Sequence, residues 1–265
     1  MINTILVPLD GSELSQSALP IANELAEAVD ASVMLLASGW GSTVAELEAY
    51  LNESATTLTA PSTISVVPDT FPATAIANAM NGPEDAVVMA THGRTGLGKA
   101  LLGSVAEDVL KRSDHPVLLV GPKAVAFTSF RGSTMVVTTD GSPISAMILP
   151  RASRWAKALE MNIVVVSATA AGGTPLGGAD PTALATAVES AISFFTREGI
   201  TARGETVIGA DAADAVADWA NANHAAMVAM TTHGRGGLAR TALGSTTMRT
   251  VHKCHCPVLV QKPVG

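Results

Sequence analysis

Two tandem α/β domains, each a doubly wound five-stranded parallel sheet, are the fold class that this 265-residue sequence predicts. Three observations carry that expectation. The octet ILVPLDGS at residues 5–12 returns as MVVTTDGS at 135–142, an offset of 130. The loop THGRTGLGKALLGS at 91–104 returns as THGRGGLARTALGS at 232–245, an offset of 141. In both halves short apolar runs alternate with helix-period patterns, which is how strands buried on both faces of a helix-covered parallel sheet read.

The first strand is expected at 3–9. A helix over 14–29 then brings Leu14, Ala18, Ile21, Ala22 and Leu25 to one face. A strand at 32–38, a helix at 43–58, a strand at 64–67 and a helix at 72–80 follow. The half closes with strands at 85–90 and 117–120 around a helix at 104–112. The second half repeats the order with strands at 134–138, 163–168, 202–208, 225–230 and 258–260. Pro20 and Pro150 keep the first offset and fall inside the expected helices. The growth of the offset from 130 to 141 implies an insertion of about 11 residues, because loops absorb added length most cheaply. The glycine-rich run AAGGTPLGGAD at 170–180 is its natural host. The domains are expected at 1–123 and 132–265.

Composition narrows the function classes. Hydrophobic residues make up 48% and charged residues 15%, enough for a substantial core. Aromatics are only 3% and the formal net charge is −7, which argues against stacking platforms for nucleic acid and against a basic nucleic-acid or membrane surface. A small anion held by local backbone groups stays compatible with that charge. The first residues carry no basic leader and the apolar runs are short, so a cytoplasmic protein without a membrane segment is expected. Cys254 and Cys256 lie two apart and suggest no disulfide framework.

Ligands of such sheets bind beyond the carboxyl ends of the strands, where the strand order reverses. Two repeated features fall there: Asp10-Gly-Ser and Asp140-Gly-Ser after the first strands, and the glycine loops after the fourth. Gly103-Ser104 and Gly244-Ser245 open the next helix, whose free N–H groups and positive dipole end favour an anion. The spacing is neither a Walker loop nor a dinucleotide fingerprint. A plainer alternative stands beside this. Ser104 and Glu107 fit a capping box, and Asp10 (with Glu13) and Asp140 fit helix N-caps. His92 and His233 suit loop orientation better than general-base work, and Arg94, Lys99, Arg235 and Arg240 could neutralise a phosphate or simply be solvated. The run His252-Lys-Cys-His-Cys256 holds four possible metal ligands but lacks the second cluster that structural zinc uses. No nucleophile with its base is evident, so no catalytic residue is assigned.

At these residues the chain resembles the universal stress protein family in its tandem, two-domain form. The resemblance rests on ILVPLDGS and MVVTTDGS together with the segments at 87–120 and 228–261, and so covers nearly the whole chain. It implies an adenine-nucleotide alpha-hydrolase-like fold. The family's nucleotide-binding branch has a G-x2-G-x9-G-[ST] loop that holds the phosphates of ATP, ADP or AMP. Carried over, Gly93, Gly103 and Ser104 form one cradle, and Gly234, Gly244 and Ser245 the other. Asp10 and Asp140 are then expected near the ribose, the phosphates or their Mg2+. Ser38 and Ala168, at the ends of the second strands, are expected to approach adenine.

The first glycine of the pattern is Ala90 in one half and Thr231 in the other. The smaller side chain favours the first site, because the larger one obstructs a close backbone approach more. The family also pairs domains through the last strand, which implies an intrachain pseudo-dimer and allows a further homodimer. The resemblance implies a nucleotide-dependent stress-response module whose protein partner is not encoded here. A slow ATPase using the same crevice and a nucleotide-free scaffold are the rival functions.

Overall fold

A computed structural model describes residues 2–39, 41–80, 82, 85–91, 102–125, 129–232 and 243–262. The first half contains β1 (Thr4–Pro8), α1 (Glu13–Gln16), α2 (Leu19–Val29), β2 (Ser32–Gly39) and α3 (Val44–Ala55). It continues with β3 (Ser62–Pro68), α4 (Pro72–Ala79), β4 (Ala86–Ala90), α5 (Ser104–Arg112) and β5 (Val117–Val120). The second half repeats the order as β6 (Thr134–Thr138), α6 (Pro143–Ala146), α7 (Leu149–Ala158), β7 (Asn162–Thr169) and α8 (Pro181–Arg197). It ends with β8 (Ala202–Ile208), α9 (Ala212–Ala222), β9 (Met227–Thr231), α10 (Ser245–Lys253) and β10 (Val258–Gln261).

The strands form a single ten-stranded sheet in the order β3-β2-β1-β4-β5-β10-β9-β6-β7-β8. Every neighbouring pair is parallel except β5 with β10, which run antiparallel and set Leu118 opposite Leu259. The expected pairing of the halves through their last strands is therefore made within one chain. Period-two alternation assigns the side chains: Ile5 and Val7 join the core on one face, Leu6 the core on the other. The first core packs against α2, α3, α7 and α8, the second against α4, α5, α9 and α10, and each runs through both halves.

The helix expected over 14–29 is broken into α1 and α2, and α6 and α7 repeat the break. Pro20 and Pro150 sit in the first turn of α2 and α7. Proline has no N–H to give, and its ring clashes with the carbonyl four residues back, so it starts a helix but does not continue one. The extra length of the second half is also shared out. The N-caps Thr43 and Asp180 lie 137 apart and the paired residues Ser62 and Ala202 lie 140 apart. The glycine-rich run therefore takes most of the insertion, and the longer α8 takes most of the rest.

The segment before β6 is tied to both halves. Phe130 is fully buried, and its N–H donates to Glu24 Oε1 at 2.6 Å. Arg131 donates to the Ala28 carbonyl at 2.6 Å and pairs with Glu160. On the other side of the seam Arg151 donates to Gln261 Oε1 at 3.1 Å and to the Asp114 carbonyl at 3.3 Å. Among the described residues no helix is long and apolar enough to cross a membrane.

Candidate functional site

The strand order reverses between β1 and β4, and again between β6 and β9, so one crevice opens at the C-terminal edge of each half. The first crevice encloses about 190 Å³ and is lined by Asp10, Ser15, Ser38, Ala90, Gly103 and Ser104, among others. The second encloses about 470 Å³, with Asp140, Ser145, Ala168, Thr231, Gly244 and Ser245 in the matching places. Eight of the ten residues singled out in the sequence thus face these two spaces. The other two, Gly93 and Gly234, lie outside the described residues, as do His92, Arg94, Lys99, His233, Arg235 and Arg240.

The turn after β1 is a small hydrogen-bonded unit. Asp10 Oδ1 accepts from the Ser12 N–H at 3.0 Å and from its hydroxyl at 2.6 Å. Ser12, not Asp10, is the N-cap of α1, and its Oγ accepts from the Ser15 N–H at 3.1 Å. Asp140, Ser142 and Ser145 repeat this, with 2.9, 2.6 and 3.1 Å for the same three bonds. The capping role considered for Asp10 and Asp140 therefore belongs to the serines two residues on. The aspartates instead brace the turn and stand in the crevice wall. Ser15 and Ser145 were passed over in the sequence, although they keep the offset of 130 and so were detectable as part of the repeat.

The second wall is the start of α5 or α10. The N-caps there are Gly103 and Gly244, with no side-chain cap hydrogen bond. Ser104 is the first helical residue and not a cap, and Glu107 pairs with Lys111 at 2.7 Å. The capping box considered for Ser104 is thus not formed. Elsewhere Ser12, Thr43, Ser142, Asp180 and Asp211 each accept from first-turn N–H groups of their helices. Helix starts leave backbone donors that need a partner, and among the described residues no side-chain cap supplies one at α5 or α10. The glycine N–H groups are committed elsewhere: Gly103 donates to the Thr91 carbonyl at 2.8 Å and Gly244 to the Thr232 carbonyl at 2.7 Å. Each glycine closes the neck of its loop and supplies a cap position with no side chain. The first-turn residues that follow, Ser104 to Ala106 and Ser245 to Thr247, line the crevices.

The two crevices are not copies. Ser38 Oγ donates to the Thr70 carbonyl at 2.7 Å, whereas Ala168 has no such group. Thr231 is 5% exposed, and Thr247 Oγ1 donates to its carbonyl at 3.1 Å and to that of Thr232 at 3.3 Å. The second crevice also gains Leu176 and Gly177 from the insertion, and Asp211 from the start of α9. Asp211 accepts from the Ala213 and Asp214 N–H groups and pairs with Arg249 at 2.6 Å. Leu176, Gly177 and Asp211 were not legible as site residues, since each depends on which loop folds over which strand end.

The cysteine run lies apart from both crevices. Cys254 and Cys256 are buried free thiols, and the hydrogen bond with Cys254 together with burial pushes the Cys256 thiol up, away from the thiolate that a metal needs. Among the described residues no three His, Cys, Asp or Glu side chains gather to hold a metal.

The sequence model described as the universal stress protein family matches residues 1–121 and 133–262. Among curated proteins, the chain is 26% identical over 185 residues to universal stress protein Rv2005c of Mycobacterium tuberculosis (strain H37Rv). That match covers 66% of this chain and 61% of the relative, so the chain spans about three fifths of that protein's length. Among solved structures, a universal stress protein from Archaeoglobus fulgidus is 21% identical and covers 99% of both chains, with a TM-score of 0.70. A shorter universal stress protein from the same organism, solved in complex with dAMP, is 19% identical, with a TM-score of 0.40. It matches 50% of this chain and 99% of its own, and the dAMP is that protein's ligand.

Proposed function

The chain belongs to the universal stress protein family, and on that footing we propose that it binds an adenine nucleotide and acts as a nucleotide-dependent regulatory module. The observation that carries this reading is the pair of helix starts whose N-caps are glycines, Gly103 and Gly244, and which open into crevices at the strand switch points. Such a terminus is suited to a phosphate, through its N–H groups and through the positive end of the helix dipole.

In this reading the phosphates meet the first-turn N–H groups and the Ser104 or Ser245 hydroxyl. Asp10 or Asp140, held by its serine, faces the ribose or the Mg2+ that accompanies the nucleotide. Carboxylate and hydroxyl oxygens are the donors Mg2+ prefers. The base lies against the end of β2, at Ser38, over an apolar floor that includes Leu36 and Met89; Ala168, at the end of β7, is the matching position in the second half. Nucleotide occupancy then alters the conformation of the protein or its choice of partner. The slow ATPase is the alternative, and turnover measured on the same sample separates it from binding.

Native purification, denaturation and mass spectrometry of released small molecules, followed by calorimetric titration with ATP, test the reading. An adenine nucleotide in the released fraction, or saturable heat with ATP, is expected. No nucleotide and no heat at millimolar ATP overturns it.

A further inference from the structure

The two halves differ most where the second strand of each runs past the first. In a parallel ladder alternate residues turn their N–H and C=O to the same neighbour. Leu36 C=O accepts from the Leu9 N–H at 2.8 Å, so the next residue of β2 facing that side is Ser38, in the crevice wall. In the second half Val166 C=O accepts from the Thr139 N–H at 3.0 Å, and the next residue is Ala168. A strand end of this kind sets a donor beside an acceptor, the pairing that the hydrogen-bonding edge of a base meets.

At Ala168 that place is taken by the chain itself. Residues 170–180 fold back on β7 as a tight hairpin. Thr169 and Pro175 form a β-bridge, and the Ala170 N–H donates to the Thr174 carbonyl at 2.7 Å. The Leu176 N–H then donates to the Ala168 carbonyl at 2.9 Å. Leu176 and Gly177 line the crevice, and the Leu176 side chain is half-buried against the apolar cluster beneath. A backbone N–H followed by an isobutyl group thus stands at Ala168 where, on the nucleotide reading, Ser38 of the first crevice meets the amino group and ring of a base. Among the described residues nothing comparable covers Ser38, because β2 ends at Gly39 and the next helix is already capped at Thr43.

We propose that the hairpin around Leu176 is a built-in occupant of the base position, and that it makes the crevices unequal in specificity. The first takes an adenine nucleotide; the second refuses a purine at Ala168 and keeps only its phosphate-facing end. This rests on the nucleotide reading above. The second crevice is the roomier one, so the hairpin acts locally, by taking the Ala168 carbonyl and setting Leu176 beside it, and not by shrinking the crevice as a whole.

The test is calorimetric titration of the full chain with ATP. It is run beside a variant in which residues 171–179 are replaced by Gly-Ser, and beside Leu176→Pro, which deletes the N–H without shortening the chain. The wild type is expected to bind one nucleotide per chain and to lose it in Gly103→Glu. At least one of the two hairpin variants is expected to bind a second nucleotide, with the affinity of the second crevice raised at least tenfold. Two equal sites in the wild type, survival of the single site in Gly103→Glu, or an unchanged stoichiometry in folded hairpin variants overturns the proposal. No ATP binding by any of the proteins overturns the nucleotide reading itself, and so distinguishes the two failures.

Discussion

Replacing Gly121 by alanine puts a methyl group where there is no room for one. A Cβ built there stands 1.9 Å from the carbonyl oxygen of Val251 and 2.9 Å from the carbonyl carbon. Carbon–oxygen approaches settle at about 3.3 Å, so about 1.4 Å of relief is needed. Neither side yields easily. Gly121 directly follows β5 at the seam between the halves, and Val251 is fully buried near the end of α10. The obstacle is backbone and not the tip of a flexible side chain. The expected cost is therefore at the upper end of the overpacking range, about 3 kcal/mol, or roughly a hundredfold in the folding equilibrium. Urea unfolding followed by far-ultraviolet circular dichroism reads it as a lower midpoint with an unchanged slope. Gly132→Ala is the control: that glycine has φ +74° and nothing within 4 Å of its Cβ position. It should lose only about 1 kcal/mol, from conformation alone. A wild-type midpoint in Gly121→Ala would refute the close approach of the two halves at this point.

Three other substitutions test different parts of the molecule. Gly103→Glu keeps an ordinary backbone, φ −60°, but brings a carboxylate to the first crevice. Repulsion of a phosphate by about 4 kcal/mol at a surface-like dielectric would weaken ATP about a thousandfold there, and unchanged calorimetric affinity contradicts that placement. Leu118→Ala removes a fully buried side chain opposite Leu259, and a loss of about 2–5 kcal/mol in urea unfolding is expected; a loss well below that says the seam does not carry stability. Glu24 is held above the ordinary carboxylate range by burial, offset in part by the Phe130 N–H it accepts and reinforced by the nearby charge of Glu27. The folded state then binds this proton more tightly, so the contribution of Glu24 is full below the unfolded value near 4.5 and is lost as pH rises through the folded one. Glu24→Gln should therefore gain stability relative to the wild type as pH rises through that window. A difference between the two proteins that stays constant from about pH 4 to 7 rules out the linkage.

The repeat was legible because it consists of local, chemically distinctive residues. Two offsets located the strands, both Asp-Gly-Ser turns and both Gly-Ser helix starts. The apolar runs implied a parallel sheet, since strands covered on both faces have no polar side to show. Boundaries were less secure. A helix drawn through Pro20 by its apolar spacing is broken there, because a missing N–H and a ring clash outweigh periodicity. Side-chain roles shifted for a related reason. Asp10 and Ser12 are both good caps, and only the φ of Gly11, +85°, and the distance to the Ser15 N–H decide which one caps.

By itself, then, the sequence determined two like halves, a doubly wound architecture for each and the segments that face each crevice, since these follow from residue type and spacing along the chain. The tertiary structure alone decided that Gly121 meets the Val251 carbonyl, that Phe130 is held by Glu24, and that Leu176 returns to the Ala168 carbonyl. Those pairs lie far apart in the chain or across a hairpin whose direction its glycines leave open. The repeat carries no trace of them either: the position matching Gly121 is Lys262, and the short first-half connection has no Leu176. A repeated pattern reports what two halves share. Their differences were set by packing, where a single carbonyl or a single N–H settles what fits.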